Sequence, residues 1–260
     1  LRILVGSTGF VGSALSEQTQ FDQSVHRPNL EEIRGAVAGQ VVCAGLPGAK
    51  YLANADPEGD WANTRKLAEV LATVRTEQFV LVSTVDVYRR PVDVDESSKP
   101  ALDGSQAYGR NRAWFETFVQ ATFPRSLIVR LPALYGDGLR KNLVFDLLEG
   151  RSDQFKEVSP ASSFQFFDVG QTWKYVEKCL AADLSVVNFA MEPVTARDVA
   201  GLFGSELKGT SEPVGYDVRT LHARPLGGSG DYLGSRSDQL DGIRRLKKRW
   251  MRTTSAGMPK

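Results

Sequence analysis

Arg2-Ile3-Leu4-Val5 is a short apolar run ending at Gly6, and after Gly12 the positions Ser13-Ala14-Leu15-Ser16-Glu17 take up helical spacing. The opening therefore reads as strand, glycine turn, helix. A weak strand over 21–26 is followed by Pro28, a helix-like stretch over 30–37 and the apolar run Val41-Val42-Cys43-Ala44, closed by Gly45. Residues 61–74 carry Leu67, Val70, Leu71 and Val74 at helical intervals, and Phe79-Val80-Leu81-Val82 is continuously apolar, as a buried parallel strand is. A helix from about Tyr108 to Phe123 and a strand at Leu127-Ile128-Val129-Arg130-Leu131, stopped by Pro132, continue the alternation.

Strict βαβ alternation predicts an α/β fold with a Rossmann-type, doubly wound parallel sheet, helices on both faces and right-handed crossovers. Ligands in that architecture lie beyond the carboxyl ends of the strands. Past residue 135 the pattern loosens into helices at 142–148 and 173–182, a Ser/Pro-rich connection at 152–163, a strand at 186–189 and glycine-rich loops at 204–237. We divide the chain into a dinucleotide-binding core at 1–135, a mixed region at 136–242 with a small substrate subdomain and returning sheet elements, and a basic helix and polar tail at 243–260.

Gly6-Ser7-Thr8-Gly9-Phe10-Val11-Gly12 spaces its glycines by three and three, directly after a strand and before a helix. There Gly6 permits the tight turn, Gly9 lets a pyrophosphate approach backbone N–H groups, and Gly12 lets the helix pack on the strand. After the second strand, Val25-His26-Arg27-Pro28 offers no acid for a ribose diol, and Arg27 suits a 2′-phosphate, which favours NADP over NAD. The hydroxyls of Ser83 and Thr84 are expected at the carboxyl end of the buried strand. Tyr108 and Arg112 stand one helical turn apart, and a fixed cation beside a phenol favours the phenolate, giving a general acid or base.

The glycine triplet, Ser83-Thr84-Val85-Asp86-Val87-Tyr88, Tyr108 with a cation four residues on, Arg130-Leu131-Pro132-Ala133-Leu134-Tyr135-Gly136 and Phe167-Asp168-Val169 together resemble the extended short-chain dehydrogenase/reductase superfamily over roughly residues 1–205. That resemblance implies an NAD(P)-dependent oxidoreductase or epimerase working by hydride transfer on a carbonyl or hydroxyl of a sugar-like, nucleotide-sugar type substrate. Tyr108 becomes the acid/base, Thr84 the hydrogen-bonding partner of the reacting oxygen, Asp86 an acidic position of sugar dehydratases, and Arg112 the cation that fixes the ribose. The cofactor set is then Gly6, Thr8, Gly9, Phe10, Val11, Gly12, Arg27, Ala44, Gly45, Tyr108 and Arg112. The helices at 61–74 and 108–123 supply the pairing surface of a possible homodimer.

The sequence differs from the resemblance at several places: Arg112 stands for Lys, Arg89 follows Val87-Tyr88, Ala133 stands for Asn, and Phe164 for an Arg that grips a diphosphate. Substrate is then expected at Arg219 and His222 in the late loop Tyr216 to Arg224. The same differences carry an alternative, a non-catalytic dinucleotide-binding sensor or partner subunit of the same fold.

Composition adds exclusions. Among 260 residues, 42% apolar and 24% charged, 32 basic side chains nearly balance 31 acidic ones, which gives no support for a nucleic-acid or membrane-surface partner. Arg244, Arg245, Lys247, Lys248, Arg249 and Arg252 crowd one segment, read as a solvated helical face. Cys43 and Cys179 match neither a disulfide framework nor a zinc site, so a reduced, cytoplasmic setting is expected and no metal is. No run approaches the roughly 18 consecutive apolar residues of a membrane span. Position 1 is Leu, which implies an initiator Met or short leader ahead of it.

Overall fold

The computed structural model describes residues 1–103, 106–155 and 157–255. Residue 156 of the expected Ser/Pro-rich connection and residues 256–260 of the expected polar tail lie outside the described residues. In chain order the first elements are β1 (Arg2–Val5), α1 (Phe10–Gln18), β2 (Gln23–Val25), β3 (Val37–Cys43), α2 (Lys50–Ala55), α3 (Pro57–Leu71) and β4 (Arg75–Thr84). Next come β5 (Val92–Val94), α4 (Ala107–Thr122), β6 (Ser126–Leu131), β7 (Ala133–Tyr135), α5 (Leu143–Leu148), α6 (Ser152–Phe155), β8 (Ser163–Phe164) and β9 (Phe166–Asp168). The chain continues through α7 (Thr172–Ala181), β10 (Val186–Asn188), β11 (Val194–Thr195), α8 (Ala196–Gly201), β12 (Asp217–Val218), α9 (Ala223–Leu226) and α10 (Arg236–Ser255).

Two units emerge from the contacts: one of 1–90, 94–131 and 170–188, the other of 91–93, 132–169 and 189–260. In the first, six parallel strands run in the order β10-β6-β4-β3-β1-β2, as the alternation predicts. Val5 pairs with Val25 on one side and Cys43 on the other, so the strand order reverses at β1 and opens a crevice at its carboxyl end. Ile3, Val41, Phe79, Leu81 and Ile128 are fully buried, and Leu67, Leu71, Phe115 and Val119 of α3 and α4 pack over the same sheet face. Burial of each such side chain stabilises by about 1.5–3 kcal/mol relative to exposure.

Boundaries moved where local chemistry outweighed periodicity. The helical turns expected at 30–37 are a 3-10 segment, Arg27–Ile33, started by Pro28 and ended before β3 takes Val37. Asp56 accepts from the Gly59 N–H, so α3 begins at Pro57, ahead of the first apolar repeat. The short α2 has no apolar period long enough to announce it.

In the second unit, β7 pairs in parallel with β9, and β8 antiparallel with β11. The basic segment belongs to the longer α10, which buries Ile243 and Leu246 and is tied down by Gln239, whose amide oxygen accepts from the Phe166 N–H at 2.7 Å. Lys247 donates to the Leu202 carbonyl at 2.9 Å and Arg249 pairs with Asp137 at 3.3 Å, so two of these cations have partners within the protein. Among the described residues no helix is long and apolar enough to cross a membrane, and no group of His, Cys, Asp and Glu could hold a metal ion.

Candidate dinucleotide and acid/base site

At the end of β1 the chain turns so tightly that only glycine fits. Gly6 has φ +89°, and a Cβ there would lie 2.4 Å from the Ala44 carbonyl oxygen; a Cβ on Gly12 would lie 2.0 Å from the Gly6 oxygen. Gly9, exposed, is the N-cap of α1, with no side-chain cap and no acid in the first turn. Among the described residues, no carboxylate or hydroxyl caps the first-turn N–H groups of Phe10, Val11 and Gly12, the arrangement an anion accepts. A pyrophosphate fits this cradle.

Beside it lies a cleft between the strand ends, lined by Gly6, Gly45, His26, Arg27, Asn63 and Lys66. Arg27 is on the cleft as the sequence implied, and His26, expected as a surface residue, lines it too while its N–H donates to Asn29 at 2.8 Å. Lys66 and Asn63 were missed. They sit on α3, and only the strand order reveals that α3 borders the carboxyl end of β1. Ala44, whose N–H donates to the Val5 carbonyl at 2.8 Å, closes the turn from the β3 side.

Thr84 ends β4, its hydroxyl accepts from the Asp86 N–H at 3.2 Å, and it lies close enough to the Tyr108 phenol to act on its ionisation. The predicted Tyr108 and Thr84 are therefore brought together. β4 and β1 are separated by one strand, so the hydroxyl pair and the glycine turn share one sheet edge about 10 Å apart. A Cβ on Gly109 would lie 2.1 Å from the Asp86 oxygen, so backbone contact fixes α4 against the Thr84 to Asp86 turn. Asp86 pairs with Lys50 of α2 at 2.7 Å.

Arg112 is placed differently from the expectation. Its guanidinium forms a fork with Asp60 (Nη1 to Oδ2 2.5 Å, Nη2 to Oδ1 3.0 Å) and also donates to the Pro47 carbonyl at 2.5 Å and the Tyr108 carbonyl at 3.2 Å. Only 2% of it is exposed. Four N–H bonds are thus committed to protein acceptors, which leaves the head a tether between α3 and α4. It also stacks over the Tyr108 ring, 4.0 Å from the centroid. The expected bias toward phenolate is outweighed: burial pushes the Tyr108 phenol up, with Arg112 and Thr84 acting against it and Asp86 and Asp60 with it.

Arg219, in the second unit, is held by Asp93 at 2.5 Å, Asp217 at 3.1 Å and Asp231 at 4.0 Å. Its partners are the loop's own carboxylates, while His222, half-buried, donates its backbone N–H to Thr220 at 3.1 Å. Phe164 sits in an aromatic group with Phe166 and Tyr216.

No known protein-family model matches the chain, and no curated protein matches it in sequence. Solved structures match closely in shape. A double mutant of dTDP-glucose 4,6-dehydratase from Streptomyces venezuelae with NAD bound superposes with a TM-score of 0.76 at 16% identity, covering 99% of this chain and 98% of the other. The fold is shared. UDP-glucose 4-epimerase from Thermotoga maritima with UDP-glucose gives 0.72 at 14% identity over 98% and 99%, and dTDP-4-dehydrorhamnose reductase from Bacillus anthracis with NADP gives 0.69 at 16% over 94% and 96%. The Rossmann-like α/β architecture expected from the alternation is thus that of these sugar-nucleotide enzymes.

Proposed function

We propose that this chain is an NAD(P)-dependent oxidoreductase or epimerase that acts on a carbonyl or hydroxyl of a sugar-like substrate. The observation that carries the reading is the closeness of Thr84 to the Tyr108 phenol on the same sheet edge as an uncapped helix N-terminus behind Gly6 and Gly12. The glycine turn would hold the pyrophosphate, and Arg27 with Lys66 the adenosine end, where two cations and no lining acid favour NADP over NAD. When bound, the nicotinamide supplies hydride exchange with the substrate carbon.

This chain's own residues handle the proton. Tyr108 is a phenol throughout neutral pH because burial disfavours its charged form, which suits it to donate to a carbonyl oxygen, the reducing direction. Thr84, close beside it, orients that oxygen, and Asp86 borders the pair. Arg112 contributes by fixing α4 against α3, and the resemblance to sugar-nucleotide enzymes in fold supports the substrate class.

Calorimetric titration with NAD+, NADH, NADP+ and NADPH, with Gly9→Val as the blocked control, tests the reading. Binding of the phosphorylated pair that is lost in Gly9→Val supports it; absence of binding for all four rejects it. The engagement of Arg112 by Asp60 favours a second reading, a dinucleotide-binding sensor without turnover. A carbonyl-substrate screen that finds turnover abolished by Tyr108→Phe excludes the sensor.

A further inference from the structure

We propose that the connection over 45–55 is a strap that couples the dinucleotide cleft to Tyr108, and that Asn54 is the positioning residue through which it holds the Tyr108 backbone. The inference rests on the dinucleotide reading of the cleft and adds α2 to the site.

The strap leaves β3 as one wall of the cleft, where Gly45, Leu46 and Pro47 all contribute to the lining. Gly45 is closely seated, since a Cβ there would lie 3.1 Å from the Val5 side chain and 3.3 Å from that of Leu67. Pro47 offers its carbonyl to Arg112 Nη2 at 2.5 Å. The same guanidinium stacks over the Tyr108 ring, 4.0 Å from the centroid. One side chain therefore bridges the wall of the cleft and the ring that carries the phenol.

Further along, the strap meets Tyr108 again, this time at the backbone. Gln106, the N-cap of α4, makes no side-chain cap bond, and Tyr108 is the second residue of the helix, so its N–H has no acceptor within α4. Asn54 Oδ1 accepts that N–H at 3.0 Å, and Asn54 Nδ2 donates to the Gln106 side chain at 2.8 Å. An orphan N–H of the acid/base residue is thus satisfied from another helix. One turn earlier on α2, Lys50 fastens the strap to Asp86 at 2.7 Å.

These anchors matter because α2 cannot hold itself. It has six residues and its N-cap, Ala49, makes no side-chain cap bond, whereas isolated helices shorter than about 12–15 residues are marginal in water. A ligand packed on Leu46 and Pro47 binds while the strap is seated and so disfavours the openings that release Asn54 from the Tyr108 N–H. A filled cleft then fixes the first turn of α4 and presents Tyr108 in one place, while an empty cleft leaves it more loosely held.

The test uses the full chain labelled with ¹⁵N-tyrosine, with the Tyr108 amide assigned by its absence in Tyr108→Phe. Its exchange with water is followed with and without 2′,5′-ADP, or ADP if calorimetry finds NADH the tighter cofactor. Neither fragment carries a nicotinamide, so an effect at Tyr108 has to pass through the protein. At about ten times Kd the exchange is expected to slow about three- to tenfold, tenfold being the limit when the opening also abolishes the site, while Tyr175 of α7 keeps its rate. Asn54→Ala should raise the exchange rate and remove the response, and Asn54→Asp, which keeps the acceptor oxygen, should restore both. Binding without slowing at Tyr108, equal slowing at Tyr175, a response that survives Asn54→Ala, or binding of neither fragment overturns the inference. Absence of binding by every dinucleotide overturns the reading of the cleft as well.

Discussion

Arg112 and Asp60 face each other fork to fork across α4 and α3, with 2% and 4% of their side chains exposed. Asp60 takes a third donor, the Asn111 side chain, at 2.8 Å. Removing one member leaves a buried charge without its counterion. Asp60→Ala is therefore expected to cost about 3–5 kcal/mol, whereas the double change Asp60→Leu with Arg112→Met recovers part of that loss. Urea unfolding of Asp60→Ala, of the double variant and of its two component single variants measures it, and additive single losses in the double variant would contradict the pairing.

The glycine turn separates fold from ligand. A Cβ at Gly12 meets backbone at 2.0 Å, while at Gly9 it meets only the Gly6 oxygen at 3.4 Å. Gly12→Ala should lower stability by about 1–3 kcal/mol or more, because neither backbone segment can yield cheaply. Gly9→Ala should stay within about 0.5 kcal/mol, the range of an uncrowded surface change, yet weaken dinucleotide binding. Thermal melts and titrations run side by side show whether the two effects part in this way.

Arg27 and Lys66 both line the cleft beside the glycine turn. Arg27→Gln is expected to weaken NADPH binding about tenfold or more and NADH binding little, since only the former brings a 2′-phosphate for the fork. Equal weakening of both would place Arg27 on a part of the cofactor that the two share.

Tyr108→Phe keeps the buried ring under Arg112 and removes only the hydroxyl. Turnover of a carbonyl substrate should fall about 10²-fold or more, with dinucleotide affinity within a factor of about two. Because the phenol is pushed up by burial, carbonyl reduction should hold its rate through neutral pH and decline only above the ordinary tyrosine range, as the proton to be donated is lost.

Alkaline pH should erode the fold in stages. Burial pushes the Cys43 and Cys179 thiols up from 9.0 to about 12, and burial likewise raises the Tyr88, Tyr108 and Tyr135 phenols from 10.0. Each group ionises more readily unfolded than folded, so its contribution is whole below the unfolded value and disappears as pH rises through the folded one. Unfolding free energy is expected to be flat near neutrality and to fall from about pH 9, with the first part of the slope reduced in Cys43→Ala. A slope that begins only above pH 10 would remove the thiols from this account.

Much of the fold could be read from the chain because its strands are continuously apolar and its turns carry glycine. Val5, Cys43, Phe79 and Ile128 lie in one sheet, as alternation required, and Thr84 ends β4 close enough to Tyr108 to act on its phenol. What the sequence concealed was the pairing of charges. Asp60 looks like one more acid in the first turn of a polar helix, and nothing local marks it as the acceptor for a cation 52 residues away. Asn54 and Lys50 were hidden for a second reason: six residues of α2 hold too little periodicity to be distinguished from a loop, although their spacing suits two partners.

The sheet is finished late in the life of the nascent chain. Asn188, Val187 and Val186 dock on Arg130, Val129 and Ile128, yet they leave the ribosome roughly 55 residues after β6. At translation rates of about 5–20 residues per second that interval lasts on the order of several seconds. Throughout it, β6 is a bare apolar edge open to other chains. Overproduction should therefore bring inclusion bodies that slower synthesis relieves, and truncation just before β10 should leave that edge permanently sticky.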